Sequence, residues 1–224
     1  MPDFPAPTTI PIFPLTGSLL LPGNLLPLNI FEERYRNLVA DAMDGVKHIG
    51  MIQPIVPAED NWPALEPPSE NPEVYRIGCV GRIDRCEPQA DGRYLILLRG
   101  VSRFRVRREL PLLRGYRRVV ADYSDFPADP LEPATALDPS SMLRVLRTFA
   151  DRHALEFDFE LLSSLPGVAL LNGLCAALPF PPAEKQALLE SPGPSEREKL
   201  LLAFMGMGLD TTLPDDYYSP PTVH

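Results

Sequence analysis

The residues able to do chemistry in this chain of 224 are few and scattered. Glu32 and Glu33 are the most obvious carboxylate pair. Adjacent residues on a helix point about 100° apart, so the two do not converge on one reacting atom as acid and base. Asp215 and Asp216 stand near the end of the chain, in an acidic stretch that would not hold catalytic geometry. Cys79 and Cys86 are separated by six residues with no histidine beside them, and His48 and His153 stand alone, so no metal site is indicated. Three cysteines, an odd number, argue against a disulfide framework and read as small buried apolar groups. Only three lysines occur, Lys47, Lys185 and Lys199, none placed by a serine as a dyad would be. The dipeptide Gly-Lys is absent, and with it the phosphate-cradling G-x-x-x-x-G-K-[ST] loop. There is no glycine-rich dinucleotide loop and no G-x-S-x-G elbow. No catalytic residue, metal or cofactor is therefore expected, and the chain reads as a non-enzyme.

What the chain has instead is arginine. The net charge is −9, yet residues 76–118 hold twelve arginines against Asp84, Glu87, Asp91 and Glu109. Three readings stand: a solvated strand face paired with nearby acids, docking against the acidic second half of the chain, or an anionic ligand such as RNA. The last needs a base-stacking site among the arginines. Phe104 and Tyr94 are available, but strand alternation turns them inward, and the overall acidity opposes attraction of a polyanion. Nucleic acid is not the expected partner.

These groups need a scaffold. Ile10, Ile12, Phe13 and Leu15 form a short strand, and leucines at 19–21 and at 25, 26 and 28 flank a turn at Pro22-Gly23. Asn29 reads as an N-cap with Glu32 near a capping-box position. The helix that follows carries Phe31, Tyr35, Leu38, Val39, Ala42 and Met43 on one stripe and stops at Gly45. Strands are expected over 48–56, 74–87 with a bend at Gly78 or Gly81, 93–98, 101–109 after a turn at Gly100, and 116–126. Along 101–109 the period is two, with Phe104 and Val106 on one face and Arg103, Arg105 and Arg107 on the other. The proline-rich acidic stretch 57–73, with Trp62, reads as a long loop. Short antiparallel strands with one early helix suggest a small, partly open barrel. After a proline-rich linker, Asp138-Pro139 caps a helix to about His153, and helices follow near 157–165, 168–178, 182–189 and 195–207, the last with Ser195 and Glu198 as a capping box. The fold class is α+β: a barrel domain over 1–127, a linker over 128–137, a helical bundle over 138–208 and an acidic tail over 209–224.

The leucine-rich stretch holds more apolar residues than two short strands can hide. Leu20, Leu21, Leu25 and Leu26 are the candidates for an exposed contact surface. No run of about eighteen apolar residues is present, so no membrane span is implied. The N-terminus lacks the features of a secretory signal, and a soluble cytoplasmic protein is expected.

Several segments together resemble one family. Residues 11–15 (PIFPL), 21–23 (LPG), 26–28 (LPL), 30–35 (IFEERY), 75–78 (YRIG), 91–93 (DGR), 98–105 (LRGVSRFR) and 184–190 (EKQALLE) are similar, in order, to the Lon substrate-binding (N-terminal) domain, over about residues 9–205. The resemblance implies a PUA-like pseudobarrel for the first half. It implies structural roles for Pro14, Pro22, Gly23, Phe31, Glu32, Arg34, Tyr35, Gly100, Arg103 and Phe104; Glu32 is expected to cap its helix and to accept an arginine, Arg103 being the suggested one. It concerns the recognition part of that protease alone. The function it implies is binding of exposed apolar segments of unfolded polypeptides at the leucine surface. An RNA-binding PUA-like protein and an adaptor for one specific protein partner are the alternatives.

Overall fold

The computed structural model describes residues 7–55, 71–129 and 137–207. Trp62 and the expected acidic tail lie outside the described residues. Six strands form one mixed sheet: β1 (Thr9–Pro14), β2 (Leu25–Ile30), β3 (His48–Ile52), β4 (Ile77–Pro88), β5 (Tyr94–Leu113) and β6 (Tyr116–Asp122). The order is β2-β5-β4-β3-β1-β6, and β5 also pairs with β6. That extra pairing closes five strands into a barrel, and β2 adds to the first half of β5 outside the ring. Only β1 and β3 run parallel. The family-implied pseudobarrel is the observed architecture.

β5 makes this possible by its length. Gly100 is not a turn; it lies inside a single strand of 20 residues. Opposite it, Val80 pairs with Ser102 and Gly81 with Gly100, so Val101 is an extra residue. Such a bulge bends a strand, and here it carries β5 from one side of the barrel to the other. In β4 itself the extra residue is Asp84, between Ile83 opposite Leu98 and Arg85 opposite Leu97, and not a glycine as expected.

Over β3 and the first half of β4 both faces of the ring are covered, and burial there is continuous. Inside lie Ile10, Ile12, Ile52, Val80, Phe104, Val106, Val119 and Ala121. Phe104 fills the centre. A Cβ on Gly78 would sit 2.8 Å from its ring and one on Gly50 3.0 Å from it. Outside the ring, Phe13, Ile49, Met51, Ile77, Cys79, Ile96 and Leu98 belong to a second cluster shared with the helices.

The early helix α1 (Glu33–Asp44) starts later than expected. Asn29 is not its cap. Pairing of Asn29 with Leu95 and Ile30 with Tyr94 holds the chain extended through Ile30. Glu32 is the N-cap residue, without a side-chain capping bond, and Gly45 ends the helix. Tyr35, Leu38, Val39 and Ala42 are buried as the stripe requires, whereas Phe31 is outside the helix and exposed.

Five further helices follow: α2 (Pro139–Arg152), α3 (Phe159–Ser163), α4 (Gly167–Ala177), α5 (Pro182–Glu190) and α6 (Pro194–Met207). Asp138 caps α2 by accepting the Ser140 N–H at 3.0 Å. Glu198 accepts the Ser141 hydroxyl at 3.1 Å, which ties α6 to α2. One apolar cluster runs from Phe13, Leu20 and Leu21 through Met142, Leu146, Leu171 and Leu188 to Met205. Among the described residues, no helix is long and apolar enough to cross a membrane.

Candidate functional site

The leucine stretch divides at Pro22-Gly23. Leu19, Leu20 and Leu21 are 3, 2 and 0% exposed, so Leu20 and Leu21 are not surface candidates. Two glycines on the sheet explain this. A Cβ on Gly100 would lie 2.1 Å from the Leu21 carbonyl oxygen, and one on Gly81 2.9 Å from a Leu20 methyl. The loop backbone lies in the trough these glycines leave, and α4 covers it. Asn24 donates to the Asn172 carbonyl at 2.8 Å, and the Asn172 amide donates to the Pro22 carbonyl at 3.2 Å. Gly23, at φ +85°, makes the turn back, its N–H donating to the Gly100 carbonyl at 2.9 Å.

From Leu25 onward the strand alternates. Leu28 and Ile30 face the core, and Leu26 packs partly against it. Leu25 faces out, 50% exposed, and so does Pro27. Across the pairing, Leu25 is opposite Arg99, Pro27 opposite Leu97 and Asn29 opposite Leu95. Leu95 is 40% exposed and Leu97 partly so. Leu25, Pro27, Leu95 and Leu97 therefore share an apolar outer face where the sheet leaves the ring. Of the four leucines nominated from sequence, only Leu25 is a full member. Leu95 and Leu97 were legible only as part of the apolar run 94–98. Alternation puts half of such a run on the far side of a sheet.

The arginines of the barrel are mostly paired, as the solvated-face reading expects. Arg105 bonds Asp125 at 2.5 Å, and Arg107 and Arg114 contact Asp122 and Asp41. Around the outer face, Asp84 accepts from Arg82 at 3.1 Å and from Arg99 at 2.6 Å. Partial burial alone would raise the Asp84 pKa; the bonds from Arg99 and Arg82 outweigh it and hold the carboxylate below its ordinary value.

Arg103 departs from that pattern. It is 3% exposed and does not meet Glu32. Glu32 bonds Arg34 at 2.8 Å, and Arg34 lies over the Tyr35 ring. Arg103 holds Asp129 through Nε and Nη2, both at 2.8 Å, and stacks on Phe126. Its Nη1 donates to the carbonyls of Leu189 and Ser191 at 2.9 and 2.5 Å. Arg197 donates to the Leu188 carbonyl and to Asn172 Oδ1, both at 3.0 Å. α5 has no basic residue in its last turn, so these two buried guanidiniums cap its C-terminus from outside. Lys185 does the same for α4, donating to the Ala176 carbonyl at 3.0 Å. Burial pulls Lys185 down to about 8 and Arg197 to about 10. Arg103 thus docks the barrel on the helical half, through backbone carbonyls of α5 and not through its acidic side chains, and barrel and helices are joined by a buried polar seam. Asp129 belongs to it, although its position falls in the expected linker.

Among the described residues no group of three or more His, Cys, Asp or Glu could hold a metal ion. Cys79 and Cys175 are buried thiols with raised pKa.

The model of the ATP-dependent protease La (LON) substrate-binding domain matches residues 9–206. The chain belongs to this family. A Lon protease of Anaeromyxobacter dehalogenans is 28% identical over 204 residues, 89% of this chain but 23% of that protein. A Lon protease of Dictyoglomus thermophilum is 36% identical over 100 residues, 45% of this chain and 12% of that protein. The chain thus spans about a quarter or less of the length of these relatives, and the family match is to the recognition domain. The crystal structure of a Lon N-terminal domain protein from Xanthomonas campestris aligns at a TM-score of 0.59 and 27% identity, covering 88% of this chain and 99% of that one. The N-terminal domain of Mycobacterium avium complex Lon protease aligns at the same TM-score with 18% identity, covering 88% and 98%, which speaks for the fold.

Proposed function

We propose that this protein is a non-catalytic recognition module that binds exposed apolar segments of unfolded polypeptides on the outer face of β2 and β5. The observation that carries the reading is the cluster of Leu25, Pro27 and Leu95, open to solvent beside the half-buried Leu97, on a Lon substrate-binding domain. Grouped exposed apolar side chains on such a module favour a contact surface. Each leucine-sized anchor contributes about 1.5–3 kcal/mol when fully buried, and these are already partly covered, so single contacts are weak. Non-directional contact of this kind tolerates many sequences. The pairing of the barrel arginines with acids speaks against RNA. The protein is proposed to act in the cytoplasm, with or without a protease.

The test is titration of a fluorescently labelled, permanently unfolded protein against wild type and Leu25→Asp/Leu95→Asp, with circular dichroism to verify the fold. The reading expects binding by wild type and at least about a tenfold loss in the variant, since two anchors are removed. Equal binding by a folded variant would move the site elsewhere.

A further inference from the structure

The apolar outer face has a charged end on either side. Alternation along β5 places Leu95, Leu97 and Arg99 on one face, and Arg93 directly precedes the strand, in the turn that its N–H makes with Asp91. At the Arg99 end, Arg82 and Arg99 share one carboxylate, Asp84. The arginine side chains are 54 and 46% exposed and that of Asp84 is 16%, so solvent meets the guanidiniums. At the other end Arg93 bonds Asp91 at 2.6 Å. Arg36 reaches the same turn, its Nη1 3.1 Å from where a side chain on Gly92 would begin. Arg36 has no ion pair among the described residues, and Glu33, one turn before it on α1, does not form one. On the long side Arg85 is matched by Glu87. Each end of the apolar strip therefore keeps one positive charge beyond its local carboxylate.

We infer that the face selects apolar segments flanked by carboxylates, taken in extended form with acidic residues about six positions apart. This rests on the proposed function and narrows its substrate class. The spacing follows the chain: Arg93, just before β5, and Arg99 within it are six residues apart, at most roughly 20 Å at about 3.3 Å per residue. An extended ligand matches it residue for residue. A helical one would need carboxylates about thirteen residues apart at 1.5 Å per residue. The chain's net charge of −9 repels an acidic ligand at long range, but charges beyond about 8–10 Å are screened at ordinary ionic strength. At contact, the arginines at the two ends decide.

The experiment uses two labelled peptides with the same alternating leucine–threonine centre. One carries glutamate at both ends, six positions apart, and the other lysine. Anisotropy titrations against the full chain are run at low and high salt. The glutamate peptide is expected to bind more tightly, by up to about fivefold for each end, and to lose that advantage in high salt. Arg93→Gln/Arg99→Gln should abolish the preference and Arg93→Lys/Arg99→Lys retain it. Equal binding of both peptides to wild type overturns the inference and leaves the proposed function standing. No binding of either overturns both. A concentration-dependent dimer that Leu95→Asp dissociates would assign the face to a second copy of the chain and overturn the inference as well.

Discussion

Replacing Arg103 by methionine should destabilise the protein severely. The substitution keeps an unbranched apolar chain over Phe126 but removes the guanidinium. The Asp129 side chain, 9% exposed, then loses both of its arginine bonds and keeps the Arg103 N–H at 2.8 Å. The carbonyls of Leu189 and Ser191 lose a donor at the end of α5. Breaking a buried ion pair from one side typically costs about 3–5 kcal/mol, because the remaining charge is left without compensation. With a urea slope of about 2 kcal/mol per molar, the unfolding midpoint should fall by roughly 1.5–2.5 M. Asp129→Asn should cost less, since an amide is neutral and still hydrogen-bonds. Because Arg103 joins barrel to helices, Arg103→Met should also separate the transition seen by near-ultraviolet from that seen by far-ultraviolet circular dichroism. A loss below about 1 kcal/mol, with coincident transitions, would refute the claim that this seam holds the two halves together.

Other outcomes follow from the same packing. Gly100→Ala should cost about 2 kcal/mol or more in urea unfolding, because its Cβ would meet the Leu21 carbonyl oxygen at 2.1 Å and the loop must move. Lys185 titrates at about 8 in the fold against 10.5 when unfolded, so the unfolded chain binds more protons between those values and stability should rise with pH from about 8 to 9.5. Lys185→Met should remove that rise; an unchanged slope would show that Lys185 is not its source. Iodoacetamide should label Cys86 alone in the native protein and all three cysteines after unfolding, since Cys79 and Cys175 are buried and Cys86 is only partly so. Native labelling of Cys175, followed by mass spectrometry, would contradict the packing of α4.

The α1 stripe, the Asp138 cap and the five later helices were legible because each depends on local spacing: Tyr35, Leu38 and Val39, or Asp138 with Pro139. The barrel was legible as short strands, but the path of β5 was not. Gly100 reads locally as a turn, and only the Leu21 carbonyl pressing on it reveals why a glycine stands mid-strand. Arg103 alternates with Phe104 as a surface residue would, and nothing local shows that a helix terminus 86 residues later supplies its acceptors. The leucine surface was half legible. Excess apolar content marked the region, but which leucines the helices cover depends on Asn24 and Asn172 meeting across 148 residues. Leu95 and Leu97 joined Leu25 only through the register of β2 on β5.

The central claim is that other chains are held on the outer face of β2 and β5. Its most direct test is a photo-crosslinking amino acid placed singly at Leu25, Leu95 and, as a control on the helical side, Leu161, which is 59% exposed. With a labelled unfolded protein as bait, crosslinks are predicted from positions 25 and 95 and not from 161. Equal yield at all three, or yield at 161 alone, would contradict the account.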